Sequence, residues 1–229
     1  MIVRFLQSSI GKKWIVALTG LILIAYVLGH LVGNLQIFLG PEPINRYAHF
    51  LHSLGPLLWV VRIFLLAAFA THILTTILLA HENRSARPAR YAVNASVQAK
   101  AATKTMVISG LIVLCFAVYH ILHFTTRTAH VSLDEYWAVK DAHGYHQVYN
   151  MVVWGFRNPL ASGFYALGII LLCSHLSHGF SSFLQTLGIN NRLMAARITL
   201  AGQLLAWLIC IGYLSIPFSV LIRFLAPIE

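Results

Sequence analysis

Four histidines stand where histidine is costly to place. His30, His72, His120 and His175 each lie well inside an uncharged, apolar stretch, one in each of the first four such stretches. An ionisable side chain at that depth marks a functional position whose partner has to be found. A neutral imidazole there can bond a neighbouring helix, carry a proton, or offer a ring nitrogen to a metal. A lone buried histidine is usually of the first kind. Four of them on four successive segments ask for more. His123 follows His120 by three residues and His178 follows His175 by three, so each couple shares one helix face. His49, His52, His81, His130, His143 and His146 lie between the apolar stretches or at their ends.

Composition says what must position these rings. Of 229 residues, 59% are hydrophobic and 10% charged, with a mean hydropathy of +0.76. A soluble domain carries about a quarter charged residues. That excludes an ordinary soluble enzyme, a disordered chain and a collagenous repeat. A formal charge of +10 does not make a nucleic-acid binder, because too little polar surface is left for a solvated binding face. Cys115, Cys173 and Cys210 sit inside apolar runs and cannot form a disulfide framework. The expected class is an all-α integral membrane protein.

Uncharged runs at 14–41, 63–81, 105–126, 158–191 and 198–222 each have room for about 20 residues of transmembrane helix. None alternates like a barrel strand. The prediction is one membrane domain over 1–229, a bundle of five helices near 14–37, 57–80, 105–126, 158–181 and 199–223. The first helix is too long for a signal h-region and has no clear cleavage site, so it is expected to be retained. Residues 2–13 could form a short interfacial helix. The 127–157 segment is polar and aromatic enough to be a folded cap, and 55–56 and 86–90 are turns.

Five crossings put the N-terminus and the second and fourth connections on one side. That side holds Arg4, Lys12, Lys13, Arg84, Arg87, Arg90, Lys100, Lys104, Arg192 and Arg197 against Glu82, a net +9. The other side holds Arg46, Arg62, Arg127, Lys140, Arg157 and Arg223 against five acids, a net +1. The N-terminus is therefore expected in the cytoplasm. The basic face suits anionic lipid, or a soluble partner.

Depth then pairs the histidines. His30 is sixteen residues past Trp14 and His120 fifteen past Thr105, so both lie roughly 23 Å in, towards the outer face. His72 and His175, on helices running the other way, lie towards the cytoplasmic face. The two levels differ by about 10–15 Å. Imidazole is a normal axial ligand of haem iron, and bundle cores are where helical proteins hold cofactors. Without a Cys-x-x-Cys-His run, any haem would be b-type. Gly29, Gly33 and Gly110 would let a flat macrocycle, or a neighbouring helix, come close. The expectation is two haems between the first four helices, His30 with His120 and His72 with His175 as axial iron ligands.

The runs VLGHLVGN (27–34), NRYAHFLHS (45–53), VYHILHFTTR (118–127) and SHLSHGFSSFLQTLG (174–188) carry a resemblance. From about Ser9 to Arg223 the chain resembles the five-helix, two-haem cytochrome b subunit of succinate dehydrogenases and fumarate reductases, and the 42-residue gap from His30 to His72 fits that family. By that resemblance His30 and His120 would hold the distal haem, and His72 and His175 the proximal one. The position matching His178 is not a ligand in the family. A flavoprotein and an iron–sulfur subunit would dock on the cytoplasmic face of a multi-pass protein in the cell inner membrane. Electrons would pass through the haems to a quinone, menaquinone being common in the family and ubiquinone the alternative. The chain itself would not act on the dicarboxylate, since it has no Gly-rich dinucleotide motif and no cysteine set for iron–sulfur clusters.

A quinone site near the outer haem needs a proton donor or acceptor at the membrane boundary. His49, His52, Tyr47 and Arg62 are the candidates, and they serve equally well as helix anchors or propionate ligands. The fumarate reductases place a carboxylate nearby. Here the nearest acid is Glu42, which tilts the expectation towards succinate oxidation. The rivals are a di-haem quinone cytochrome of a hydrogenase or formate dehydrogenase, and a transporter moving protons or metal through histidine. Transporters more often break their helices and bury carboxylates. A membrane di-iron enzyme would gather its histidines at one depth.

Overall fold

A computed structural model describes residues 4–5, 8–86, 106–130, 132–189 and 194–228. The first helix, α1 (Ser9–Leu35), is capped by the Ser8 hydroxyl, which accepts from the Gly11 amide. A 3-10 turn (Gln36–Leu39) runs into Gly40, whose φ of 103° only glycine adopts without strain. Pro41 then starts α2 (Pro41–Ser53), with Glu42 in its first turn. A second left-handed glycine, Gly55, and Pro56 open α3 (Pro56–Ser85).

Next comes α4 (Met106–His120), whose last turn widens into a π turn (Ile121–Thr125). Two short helices follow, α5 (Leu133–Ala138) and α6 (Val148–Arg157). Asn158 caps α7 (Pro159–Thr186), and α8 (Ala195–Leu221) completes the order. Among the described residues the one β feature is an isolated bridge between Lys140 and His146.

Five helices are long and apolar enough to cross a membrane: α1 with its 3-10 turn, α3, α4 with its π turn, α7 and α8. The fold is all-α and multi-pass. Several ends run beyond the apolar stretches, because backbone hydrogen bonding does not stop where hydrocarbon does. Residues 9–13 are the opening turns of α1 and not a separate interfacial helix; residues 2, 3, 6 and 7 of that expected segment lie outside the described residues. Lys12 in α1 pairs with Glu82 in α3, which ties the two helices together at this end. Arg87, Arg90, Lys100, Lys104 and Arg192 of the expected basic face also lie outside the described residues.

At the opposite end the 127–157 segment is a folded cap, as expected, and α2 joins it. Ile44 of α2 and Leu133, Met151, Val153 and Phe156 of the cap are buried, and with Ile37 of the 3-10 turn they join one core cluster. Lipid already solvates the outer faces of the long helices, whereas this end must exclude water for itself.

Within the bundle, α1 packs on α3 and α7, α4 on α7 and more lightly on α3, and α8 against α7 and α1. The helices α1, α3, α4 and α7 therefore close a ring. Its diagonals join α1 to α4 and α3 to α7, the helices that carry the two expected histidine pairs.

Candidate functional site

Deep in the bundle, near the Lys12–Glu82 end, two histidines are held in the same way. The Nδ1 of His72 lies 3.1 Å from the Thr19 hydroxyl of α1. The Nδ1 of His175 lies 3.1 Å from the Ser109 hydroxyl of α4. Each hydroxyl has one proton, and each donates it to a carbonyl one turn back: Thr19 to Ile15 at 2.7 Å and Ser109 to Met106 at 3.0 Å. Towards the imidazole each oxygen can then only accept. In that arrangement His72 and His175 carry hydrogen on Nδ1 and a lone pair on Nε2. The residue after each hydroxyl is glycine: a Cβ at Gly20 or Gly110 would sit 3.3 Å from Cε1 of His72 or His175. His72 and His175 lie within electrostatic range of each other.

Higher up, the His30 and His120 rings stand 5.7 Å apart and nearly perpendicular. Tyr26 stacks on His30 at 5.5 Å, and the Tyr213 ring of α8 lies 6.2 Å from it. The Tyr165 hydroxyl of α7 is 3.1 Å from Nδ1 of His120. It is also 3.1 Å from Nδ1 of His123, which is fully buried. Thr19 precedes His30 by eleven residues, and Ser109 precedes His120 by eleven. Along both helices the two pairs are therefore about 16 Å apart. Among the described residues no three His, Cys, Asp or Glu side chains converge as a metal-ion site. The arrangement is paired.

Above His120, next to the Phe124 ring 6.1 Å away, lies a cavity of about 260 Å³ lined by His52, Arg62, Phe124, Thr125, Arg127 and Trp137. Arg127 adopts a left-handed φ of 58° and is pinned there. It is ion-paired with Asp134, donates to the Thr125 carbonyl at 2.8 Å and lies 4.7 Å over the Trp137 ring. Burial, reinforced by Arg62, His146, Arg127 and His49, lowers the pKa of His52 below the usual histidine value. Two guanidiniums and a neutral imidazole can hold an anionic or carbonyl headgroup.

Of the boundary candidates, the structure brings His52 and Arg62 together here. His49 is exposed and packs its ring on Tyr145 at 4.6 Å. Tyr47 fills the notch at Gly33, where a Cβ would meet its ring at 2.6 Å. Gly33 thus admits a tyrosine of the same chain, and Gly110 admits His175, while Gly29 borders open space.

Sequence reasoning missed Thr19, Ser109, Tyr165 and Arg127. The hydroxyl–glycine pairs Thr19-Gly20 and Ser109-Gly110, eleven residues before His30 and His120, were the available signal. Nothing in the sequence places Tyr165 against two histidines. Compared with known proteins, the chain matches no protein-family model, no curated protein and no solved structure.

Proposed function

We propose that this chain is the membrane-anchor cytochrome b of a succinate:quinone oxidoreductase, holding two b-type haems and passing electrons between an iron–sulfur subunit and a membrane quinone. One observation carries the haem reading. His72 and His175 are fixed with Nδ1 on a hydroxyl and Nε2 free, which is how a protein orients imidazole for a metal. Two metal–imidazole bonds of about 2.0–2.1 Å separate the ring centroids by roughly 6 Å. His30 and His120, at 5.7 Å, fit that span.

His30 and His120 hold the outer group, and His72 and His175 the inner one. Bound at both levels, haem supplies one-electron transfer across the bundle. His52, Arg62 and Arg127 orient the quinone headgroup in the cavity beside Phe124, and His52, kept neutral at pH 7, can take up a proton there. The oxidation of succinate belongs to the flavoprotein partner, docked through the iron–sulfur subunit on the basic face at the Lys12 end, in the cytoplasm. The quinone is of the menaquinone or ubiquinone class.

A reduced-minus-oxidised spectrum of the purified protein tests this. Two b-type components are expected. His72→Ala and His175→Ala should remove the same one, and His30→Ala and His120→Ala the other. Absence of a b-type band, or loss of one component by both His30→Ala and His72→Ala, overturns it. Co-purified subunits separate the rival cytochromes, since a nickel or molybdenum protein in place of a flavoprotein would point to a hydrogenase or a formate dehydrogenase.

A further inference from the structure

The inner pair and the outer pair differ in one respect. At Thr19 and Ser109 each hydroxyl has a backbone carbonyl to donate to and one histidine to accept from. At the outer level one hydroxyl serves two rings. Tyr165 Oη lies 3.1 Å from Nδ1 of His120 and 3.1 Å from Nδ1 of His123, and among the described residues it has no other hydrogen-bond partner. Its single proton goes to one of them. That ring then carries its own hydrogen on Nε2 and has no lone pair there. The other ring donates from Nδ1 to the tyrosine oxygen and keeps an Nε2 lone pair.

We propose that the Tyr165 hydroxyl gives His120 and His123 opposite tautomers and so selects His120, not His123, as the ligand of the outer haem. This rests on the cytochrome reading above. Two observations make His120 the donor, and a third explains why both rings reach one hydroxyl. Its ring faces His30, whereas His123 packs on Phe124 at 4.1 Å and His130 at 4.6 Å, on the side of the cap. The Nε2 of His123 lies 3.3 Å from the Cβ position of Gly155, buried where no cofactor could reach it, and its N–H in this tautomer goes without an acceptor. The π turn that follows His120, closed by the Thr126 amide on the Ile121 carbonyl, holds His123 and His120 against one oxygen. Tyr165 is a positioning residue. It touches the ligand and leaves the iron to the imidazoles.

Tyr165→Phe keeps the ring that packs edge-on against Phe116 and Phe156 and removes only the hydroxyl. In the full chain purified with its haems, the outer haem should be held about 10–100-fold more weakly, read by its transfer to apomyoglobin. Its midpoint potential should rise, because an imidazole without an acceptor at Nδ1 donates less charge to ferric iron. The inner haem should keep both values.

His123→Leu should retain both haems, with the outer one weakened less than in Tyr165→Phe, since Tyr165 can still accept from His120 but loses the ring that takes its proton. An outer haem unmoved in affinity and potential by Tyr165→Phe overturns the assignment while the cytochrome reading stands. Loss of the outer haem in His123→Leu overturns it as well, because His123 would then be the ligand. If Tyr165→Phe does not assemble, His123→Leu decides alone. A wild-type protein without b-type haem overturns both readings.

Discussion

Thr19 and Ser109 share one chemistry at two places in the chain. Each hydroxyl gives its proton to its own helix and presents a lone pair to a histidine on the next. Thr19→Val and Ser109→Ala remove that acceptor and leave the imidazoles free to turn. On the proposed cytochrome reading, in either variant the inner haem should bind about 10–100-fold more weakly and the outer haem should be unchanged, as resolved by spectral titration. If both components weaken together, the hydroxyls act on the bundle and not on the ligands. The four histidines themselves were legible in the sequence because a titratable ring in an apolar run is conspicuous. Their hydroxyl partners were not, since serine and threonine are common in membrane helices and bond their own backbone. The pairing was legible for a geometric reason: on antiparallel helices of known rise, sequence distance from the boundary is depth.

Long charge-free helices announce themselves; a short amphipathic helix announces itself less. The five long helices were read from charge-free length alone. The amphipathic α2 was not, although Pro41, Glu42 and the Gly55-Pro56 pair mark both its ends. Its role in the cap comes from Asn45, which is buried and makes its bonds far along the chain. The Asn45 Oδ1 accepts from the Tyr149 amide at the start of α6 at 2.9 Å, and its Nδ2 donates to Asp141 at 3.1 Å. Asp141 in turn accepts from the amides of His143 and Tyr145. No local pattern encodes contacts across about a hundred residues. Asn45→Ala leaves a buried amide without its acceptor and should cost about 1–3 kcal/mol. Hydrogen exchange at the Tyr149 amide should then be roughly 5–150-fold faster, with the exchange of α7 unchanged.

For the whole molecule, the direction of the bundle decides which histidine pair meets which partner. The cap end carries three arginine–tryptophan stacks, Arg62 on Trp59, Arg127 on Trp137 and Arg157 on Trp154, with guanidiniums 4.4–5.0 Å from the rings. Such pairs suit a membrane–water boundary, where an aromatic plate sits at headgroup level and a cation reaches water. They do not say which side. The charge difference along the sequence does: net +9 over the N-terminus and the second and fourth connections against net +1 over the rest favours the Lys12 end in the cytoplasm. In the proposed reading His72 and His175 then lie nearest the compartment of the soluble iron–sulfur partner, and the cavity of His52 and Arg62 lies at the far boundary. The chain's own cysteines all lie within spans, so a single introduced thiol can report the orientation. His143 is exposed on the cap and Arg84 is exposed at the opposite end. In intact cells a membrane-impermeant maleimide should label His143→Cys at once and Arg84→Cys only after the membrane is opened. The reverse order would put the cap in the cytoplasm, on the side of the proposed soluble subunits. Electrons would then enter at His30 and His120, and the His52 cavity would stand at the docking face, where a quinone site has no reason to be.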